Sequence, residues 1–115
     1  AVLGDAASVI ADVQVRNRGT VGGSLAYADP AGDWAPALLA LGGSVLLRGK
    51  HSQRIVPLTE FFVAEHETVI GPGEMICEVL APPVGSAAAG AYLKLARRHG
   101  DYAVASVVGW SEKSP

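Results

Sequence analysis

Apolar residues open the chain at helical spacing: Leu3, Ala6, Ala7 and Ile10 stand at i, i+3, i+4 and i+7. This is one buried helix face, and it predicts a helix over residues 2–11 that stops near Asp12. The pattern then dissolves. Gly19, Gly22 and Gly23 fall within five positions, which predicts a loop whose backbone bends sharply or closely approaches a neighbour. Helical spacing returns with Trp34, Ala37, Leu38 and Leu41. Asp33 is the predicted N-cap, Pro36 sits in the first turn where its missing N–H is harmless, and Gly42 ends the helix.

From there the pattern is extended. Ser44–Arg48 and Gln53–Val56 are predicted strands around the turn-forming Gly49–Ser52, and Leu58, Phe61 and Phe62 form a small apolar cluster. Gly71-Pro72-Gly73 is a turn, Met75–Leu80 a third strand, and Pro82-Pro83 its end. Gly85–Gly90 reads as a small-residue linker. Ala91–Arg97 and Tyr102–Trp110 are strands around a turn at His99-Gly100-Asp101. Alternation places Tyr92, Lys94 and Ala96 on one face and Ala91, Leu93 and Leu95 on the other, with the leucine face expected in the core. Helix, loop, helix and then antiparallel strands define an α+β fold, a mostly antiparallel sheet with flanking helices. No G-x-G-x-x-G follows a leading strand and no βαβ alternation exists, which excludes a Rossmann fold.

Composition narrows the chemistry. The chain has 115 residues, half of them hydrophobic, enough for one compact domain or a domain and the start of another. Aromatics are few, so the core is expected to be Ala, Val, Leu and Ile. The net charge is -2, and the basic clusters (Arg16 with Arg18, Arg97-Arg98) are short. Nothing interleaves them with aromatic residues, so no nucleic acid is expected. The one cysteine, Cys77, closes no disulfide within the chain and provides no pair for zinc or an iron–sulfur cluster. His51, His66 and His99 share no ligand spacing. No metal site and no catalytic residue is assigned, and any electron carried here needs an organic cofactor. No apolar run approaches the ~20 residues of a membrane span. The first residues lack a basic signal-peptide start, and cytoplasm is the default compartment. The chain begins with Ala1 rather than Met, which suggests a piece of a longer protein.

The glycine-rich segment carries the candidate chemistry. Glycines let backbone N–H groups approach a phosphate, successive N–H groups form an anion-binding concavity, and Thr20 and Ser24 add hydroxyl donors. Gly22-Gly23 alone reads as a plain tight turn, because matches this short are common by chance. The longer stretch ADVQVRNRGTVGGSLAYADPAGD, ending at Asp33, resembles the FAD-binding subunits of the xanthine dehydrogenase and carbon monoxide dehydrogenase family. These carry Q-V-R-N-x-G-T-[IV]-G-G-[NS] followed by A-D-P-x-x-D. The resemblance continues through GPGEMICEVLAP, which ends at Pro82, and AYLKLARRHGDYA from Ala91 to Ala103. It covers nearly the whole chain in order.

The resemblance implies a flavin domain of the p-cresol methylhydroxylase and vanillyl-alcohol oxidase type. Residues 1–84 would be its second lobe, and residues 85–115 the start of the subunit's C-terminal domain. The family's first lobe, with an A-G-G-[HQ]-S loop against the FAD pyrophosphate, has no counterpart in these residues. By resemblance Thr20, Val21, Gly22, Gly23 and Ser24 line FAD and its phosphates. Asp33 lies near the ribityl and phosphate region, Ile10 beside the adenine, and Ile76 against the cofactor. Lys94 and Tyr102 lie close to the isoalloxazine ring. Read from pattern alone, Ile10 and Ile76 are core residues, Lys94 is a solvated lysine, and Asp33 is as readily an N-cap as a site residue. Departures from the family pattern are Val21 for a common Ile, Tyr27 for His, and Trp34 for Leu. The implied function is passage of electrons from iron–sulfur clusters through FAD to an acceptor. The implied partners are a molybdopterin-containing large subunit and an iron–sulfur small subunit. The competing reading is an isolated structural domain with no cofactor of its own.

Overall fold

The computed structural model describes residues 1–113. Helix α1 (Val2–Ser8) buries Val2 and Ala6. It ends earlier than the apolar spacing predicts. The Ser8 hydroxyl donates to the Asp5 carbonyl at 2.7 Å, a local bond that competes with helix propagation. Ala11 then turns the chain with φ of 38°, so Ile10 leaves the helix altogether.

The expected glycine loop is instead two short helices, α2 (Val13–Arg18) and α3 (Val21–Tyr27). Each starts at a side-chain cap. The Val15 N–H donates to Asp12 Oδ1 at 2.9 Å, and the Gly23 N–H donates to Thr20 Oγ1 at 3.0 Å. A cap contributes ~1 kcal/mol, comparable with the ~1 kcal/mol that one helical glycine costs. Full burial of Leu25 then favours the helix. Gly22 and Gly23 have no positive φ; the glycines that do are Gly42, Gly73 and Gly100.

Helix α4 (Trp34–Ala40) follows, ended by Gly42 at φ 71°. Strand β1 (Ser44–Arg48) hairpins onto β2 (Gln53–Pro57). A single turn, α5 (Leu58–Phe61), leads into the small hairpin β3 (Phe62–Ala64) and β4 (Glu67–Thr68), which the sequence did not predict. Strand β5 (Met75–Leu80) returns antiparallel to β1, giving a three-stranded sheet of order β2-β1-β5. The core behind it joins Leu25, Leu38, Val45, Leu47, Val56, Leu58 and Phe61. The antiparallel sheet with flanking helices agrees with the expected fold class.

Strands β6 (Ala88–Leu95) and β7 (Ala105–Glu112) form a separate two-stranded sheet. The expected linker is partly strand: Gly90 lies so close to α1 that an added Cβ would stand 2.6 Å from Val2 Cγ2. The expected core face is inverted. Leu93 and Leu95 are 66% and 65% exposed, whereas Tyr92 is 5% exposed. Tyr92 joins Val2, Ala6 and Ala37 in a second core cluster. The aromatic ring supplies the apolar burial, and Lys94 on the same face is neutralised by a partner described below.

Candidate functional site

The N-terminal turn of α3, the start of α4 and the β6–β7 connection converge on one open cavity of about 820 Å³. Eight of the ten residues named from the sequence line it: Ile10, Thr20, Val21, Gly23, Ser24, Asp33, Lys94 and Tyr102. They come from five separate places along the chain. Gly22 and Ile76 line a neighbouring cleft of about 370 Å³ instead, and Thr20 and Gly23 border both. The first turn of α3 is therefore the ridge between the two hollows. Thr20 Oγ1 is engaged by its cap bond. The free N–H groups of this turn are those that a helix start leaves without an intrahelical acceptor, at Val21 and Gly22.

Asp33 stands at the N-cap position of α4, as expected, but its side chain makes no capping bond. It is buried, and its carboxylate is shared between two strand residues. Oδ1 accepts from the Tyr92 hydroxyl at 2.6 Å, and Oδ2 accepts from Lys94 Nζ at 3.0 Å. Lys94 also donates to the Val9 carbonyl at 3.0 Å. The Lys94 and Asp33 side chains are only 5% and 6% exposed, so Lys94 is not the solvated lysine its strand position suggests. Burial first, and then the Asp33 carboxylate, push the Tyr92 phenol up to about 12.

The same cavity takes residues that the sequence reading did not name as site residues. Arg16 and Arg18 line it, as do Tyr27, Trp34 and Asp101. Arg16 is braced through a 2.6 Å bond to the Ile10 carbonyl, which also holds the turn after α1. Their proximity to the glycine segment was the available signal; a short basic cluster is otherwise ordinary surface. Tyr27 stands against His66, with ring centroids 4.6 Å apart, and His66 Nδ1 lies 3.0 Å from the Tyr27 carbonyl oxygen at the end of α3. Among the described residues no group of three or more His, Cys, Asp or Glu is placed to hold a metal ion, and no helix is long and apolar enough to cross a membrane.

Residues 1–84 match the family model described as the FAD binding domain in molybdopterin dehydrogenase. The chain is 43% identical to the 6-hydroxypseudooxynicotine dehydrogenase complex subunit alpha of Paenarthrobacter nicotinovorans, over 97% of this chain and 39% of that protein. It is 36% identical to the carbon monoxide dehydrogenase medium chain of Hydrogenophaga pseudoflava, over 98% of this chain and 39% of that one. The solved structure of reconstituted CO dehydrogenase from Oligotropha carboxidovorans superposes with a TM-score of 0.94 at 33% identity, covering 98% of this chain and 40% of that one. The architecture and the ordered motifs thus define a flavin-binding domain of the molybdenum hydroxylase type. The chain belongs to the FAD binding domain family of molybdopterin dehydrogenases, and it spans about 39% of the length of the curated relatives it matches.

Proposed function

We propose that this chain forms one side of the FAD site in the electron-transferring subunit of a molybdenum hydroxylase. The observation that carries this reading is the gathering of Ile10, Thr20–Ser24, Asp33, Lys94 and Tyr102 around one ridge and its flanking hollows. The residues fit the cofactor. Ile10, Val15, Val21, Trp34 and Tyr102 offer apolar surface for ring systems. Gly22 and Gly23 keep side chains off the first turn of α3, where N–H groups are free for phosphate oxygens.

In this reading Val21 and Gly22 hold the phosphate region through their free backbone N–H groups, Gly23 keeps a side chain off that turn while its own N–H serves the Thr20 cap, and Ile10 packs beside the adenine. Asp33 and Lys94 border the polar middle of the cofactor, and Tyr102 lies along the isoalloxazine ring. Ile76 supports the ridge from the neighbouring cleft. When bound, FAD supplies the capacity to accept electrons and release them to an acceptor. Family membership supports an iron–sulfur small subunit as the donor and a molybdopterin-containing large subunit as the place where substrate is oxidised. Residues 1–84 are read as the second lobe of the flavin domain. The hairpin within residues 85–115 is read as the start of the next domain, consistent with its own separate sheet.

The test is an absorption spectrum of the complete flavin subunit carrying this segment, beside isothermal titration of the 115-residue chain. Flavin bands in the subunit, with affinity of the chain alone weaker than about 1 μM, are expected. A colourless subunit would overturn the function. Submicromolar binding by the chain alone would show that the whole site lies within it.

A further inference from the structure

Behind Asp33 and Lys94, two of the charged residues that line the cavity, stands a tyrosine that the flavin reading does not use. Tyr92 is 5% exposed and lies outside the cavity wall. Its hydroxyl donates to Asp33 Oδ1 at 2.6 Å, and the Ser106 side chain lies beside it. With Oδ1 held, the other Asp33 oxygen is left to Lys94 at 3.0 Å. An ammonium has three donors. Asp33 and the Val9 carbonyl take two of them at Lys94, and Lys94 borders the cavity.

We infer that Tyr92 is a positioning residue of the cofactor site: its hydroxyl orients Asp33, Asp33 fixes Lys94, and Lys94 presents its remaining donor to an electronegative atom of the bound flavin. The chain of contacts also ties β6 to α4 and to the residues after α1. The inference rests on the FAD reading for its last step only. Without the hydroxyl, Asp33 Oδ1 becomes a buried acceptor with no donor, a state that side chains leave by rotating or by admitting water. Lys94 then loses its fixed place. Tyr92→Phe keeps the ring against Val2, Ala6 and Ala37 and removes only the hydroxyl.

Two measurements decide this. In the first, amine acetylation of the full 115-residue chain is followed lysine by lysine by mass spectrometry, with exposed Lys50 and Lys113 as internal references. Lys94 is expected to react more slowly than both. In Tyr92→Phe its rate should rise about tenfold, the factor for one lost hydrogen bond to a charged group. Ser106→Ala, which keeps the phenol but removes the side-chain hydroxyl beside it, should give a smaller rise and serves if Tyr92→Phe fails to fold. In the second, the flavin absorption maximum of the loaded subunit is compared in wild type, Tyr92→Phe and the distant core variant Phe61→Leu. A shift is expected in Tyr92→Phe alone. Equal Lys94 rates in wild type and both variants would overturn the positioning role. An unmoved flavin spectrum in Tyr92→Phe, with only the lowered melting temperature that Phe61→Leu also shows, would make Tyr92 purely structural. A colourless wild-type subunit would instead remove the flavin reading and this last step, while the acetylation rates would still decide whether Tyr92 places Lys94.

Discussion

The Tyr92 hydroxyl donates to Asp33 Oδ1 at 2.6 Å across 59 residues of sequence. This bond has a titration consequence. Burial and the facing carboxylate hold the phenol protonated up to about 12, whereas an unfolded tyrosine ionises near ~10. The folded pKa is raised, so the stability contributed by Tyr92 is fully present below ~10 and lost as pH rises towards 12. Spectrophotometric titration of phenolate should show a late step near 12 that is absent in Tyr92→Phe. A wild-type curve with no such step would mean that the phenol is not buried against Asp33.

The two glycines of α3 should behave differently. A Cβ on Gly22 would meet Ile76 Cγ2 at 3.7 Å, an ordinary contact, whereas a Cβ on Gly23 would stand 2.8 Å from Thr20 Oγ1. Gly22→Ala therefore gains helix propensity, up to ~1 kcal/mol, without a clash. Gly23→Ala gains the same and loses a cap of about ~1 kcal/mol, leaving little net change. If backbone approach to the phosphates is needed, Gly22→Ala should raise the melting temperature and yet lower the flavin content of the purified subunit. Full flavin content in both variants would remove this turn from the cofactor site.

Local pattern revealed the elements whose causes are local. Strands β1 and β5 run where alternation and flanking turns placed them, and α4 ends where Gly42 ends it. The glycine segment is helical against its pattern because the caps at Asp12 and Thr20 and the buried Leu25 outweigh the helix-breaking tendency of glycine. Alternation in β6 correctly sorted Tyr92 and Lys94 onto one face but could not say which face would be covered. That depended on α1 and α4 packing against it. Asp33 was legible as important but not for its reason, because its partners lie on a strand far along the chain. The cavity residues Arg16 and Arg18 needed the fold, since nothing in their spacing separates them from ordinary surface.

Acid sensitivity should arise at the ion pair between Arg54 on β2 and Glu74 just before β5. Glu74 accepts from Arg54 Nε at 3.0 Å, from Arg54 Nη2 at 2.8 Å and from the Gly71 N–H at 2.8 Å. Arg54 Nη2 also holds the Val69 carbonyl at 2.7 Å. The Arg54 bonds first, and the Gly71 N–H second, lower the Glu74 carboxyl to about 2. The folded pKa is depressed, so the contribution of Glu74 is present above the unfolded value of ~4.3 and is lost as pH falls from there towards 2. Glu74→Gln should flatten the loss of stability over that interval, measured by denaturant unfolding at successive pH values. An unchanged acid limb would assign the acid loss to other carboxylates.

The buried pair Asp33–Lys94 should report on fold and cofactor at once, with opposite signs in the second. Both side chains are nearly sealed, at 6% and 5% exposure. Removing either partner leaves an uncompensated buried charge, which costs ~3–5 kcal/mol. Asp33→Asn and Lys94→Met should each lower stability by about that amount. Contacting residues couple, so the double variant should lose less than the sum of the two. At a flavin, a lone cation ~4 Å away would act with ~4 kcal/mol at an effective dielectric of ~20. The Asp33 carboxylate offsets most of this while the pair is intact. Asp33→Asn uncovers the cation and should raise the flavin reduction potential, because positive charge favours the more negative, reduced state. Lys94→Met uncovers the carboxylate and should lower it. A redox titration of each variant subunit beside its thermal unfolding separates the cases. Potentials that move in the same direction, or not at all, while stability falls in both, would place the pair away from the flavin and leave it a structural bridge between α4 and β6.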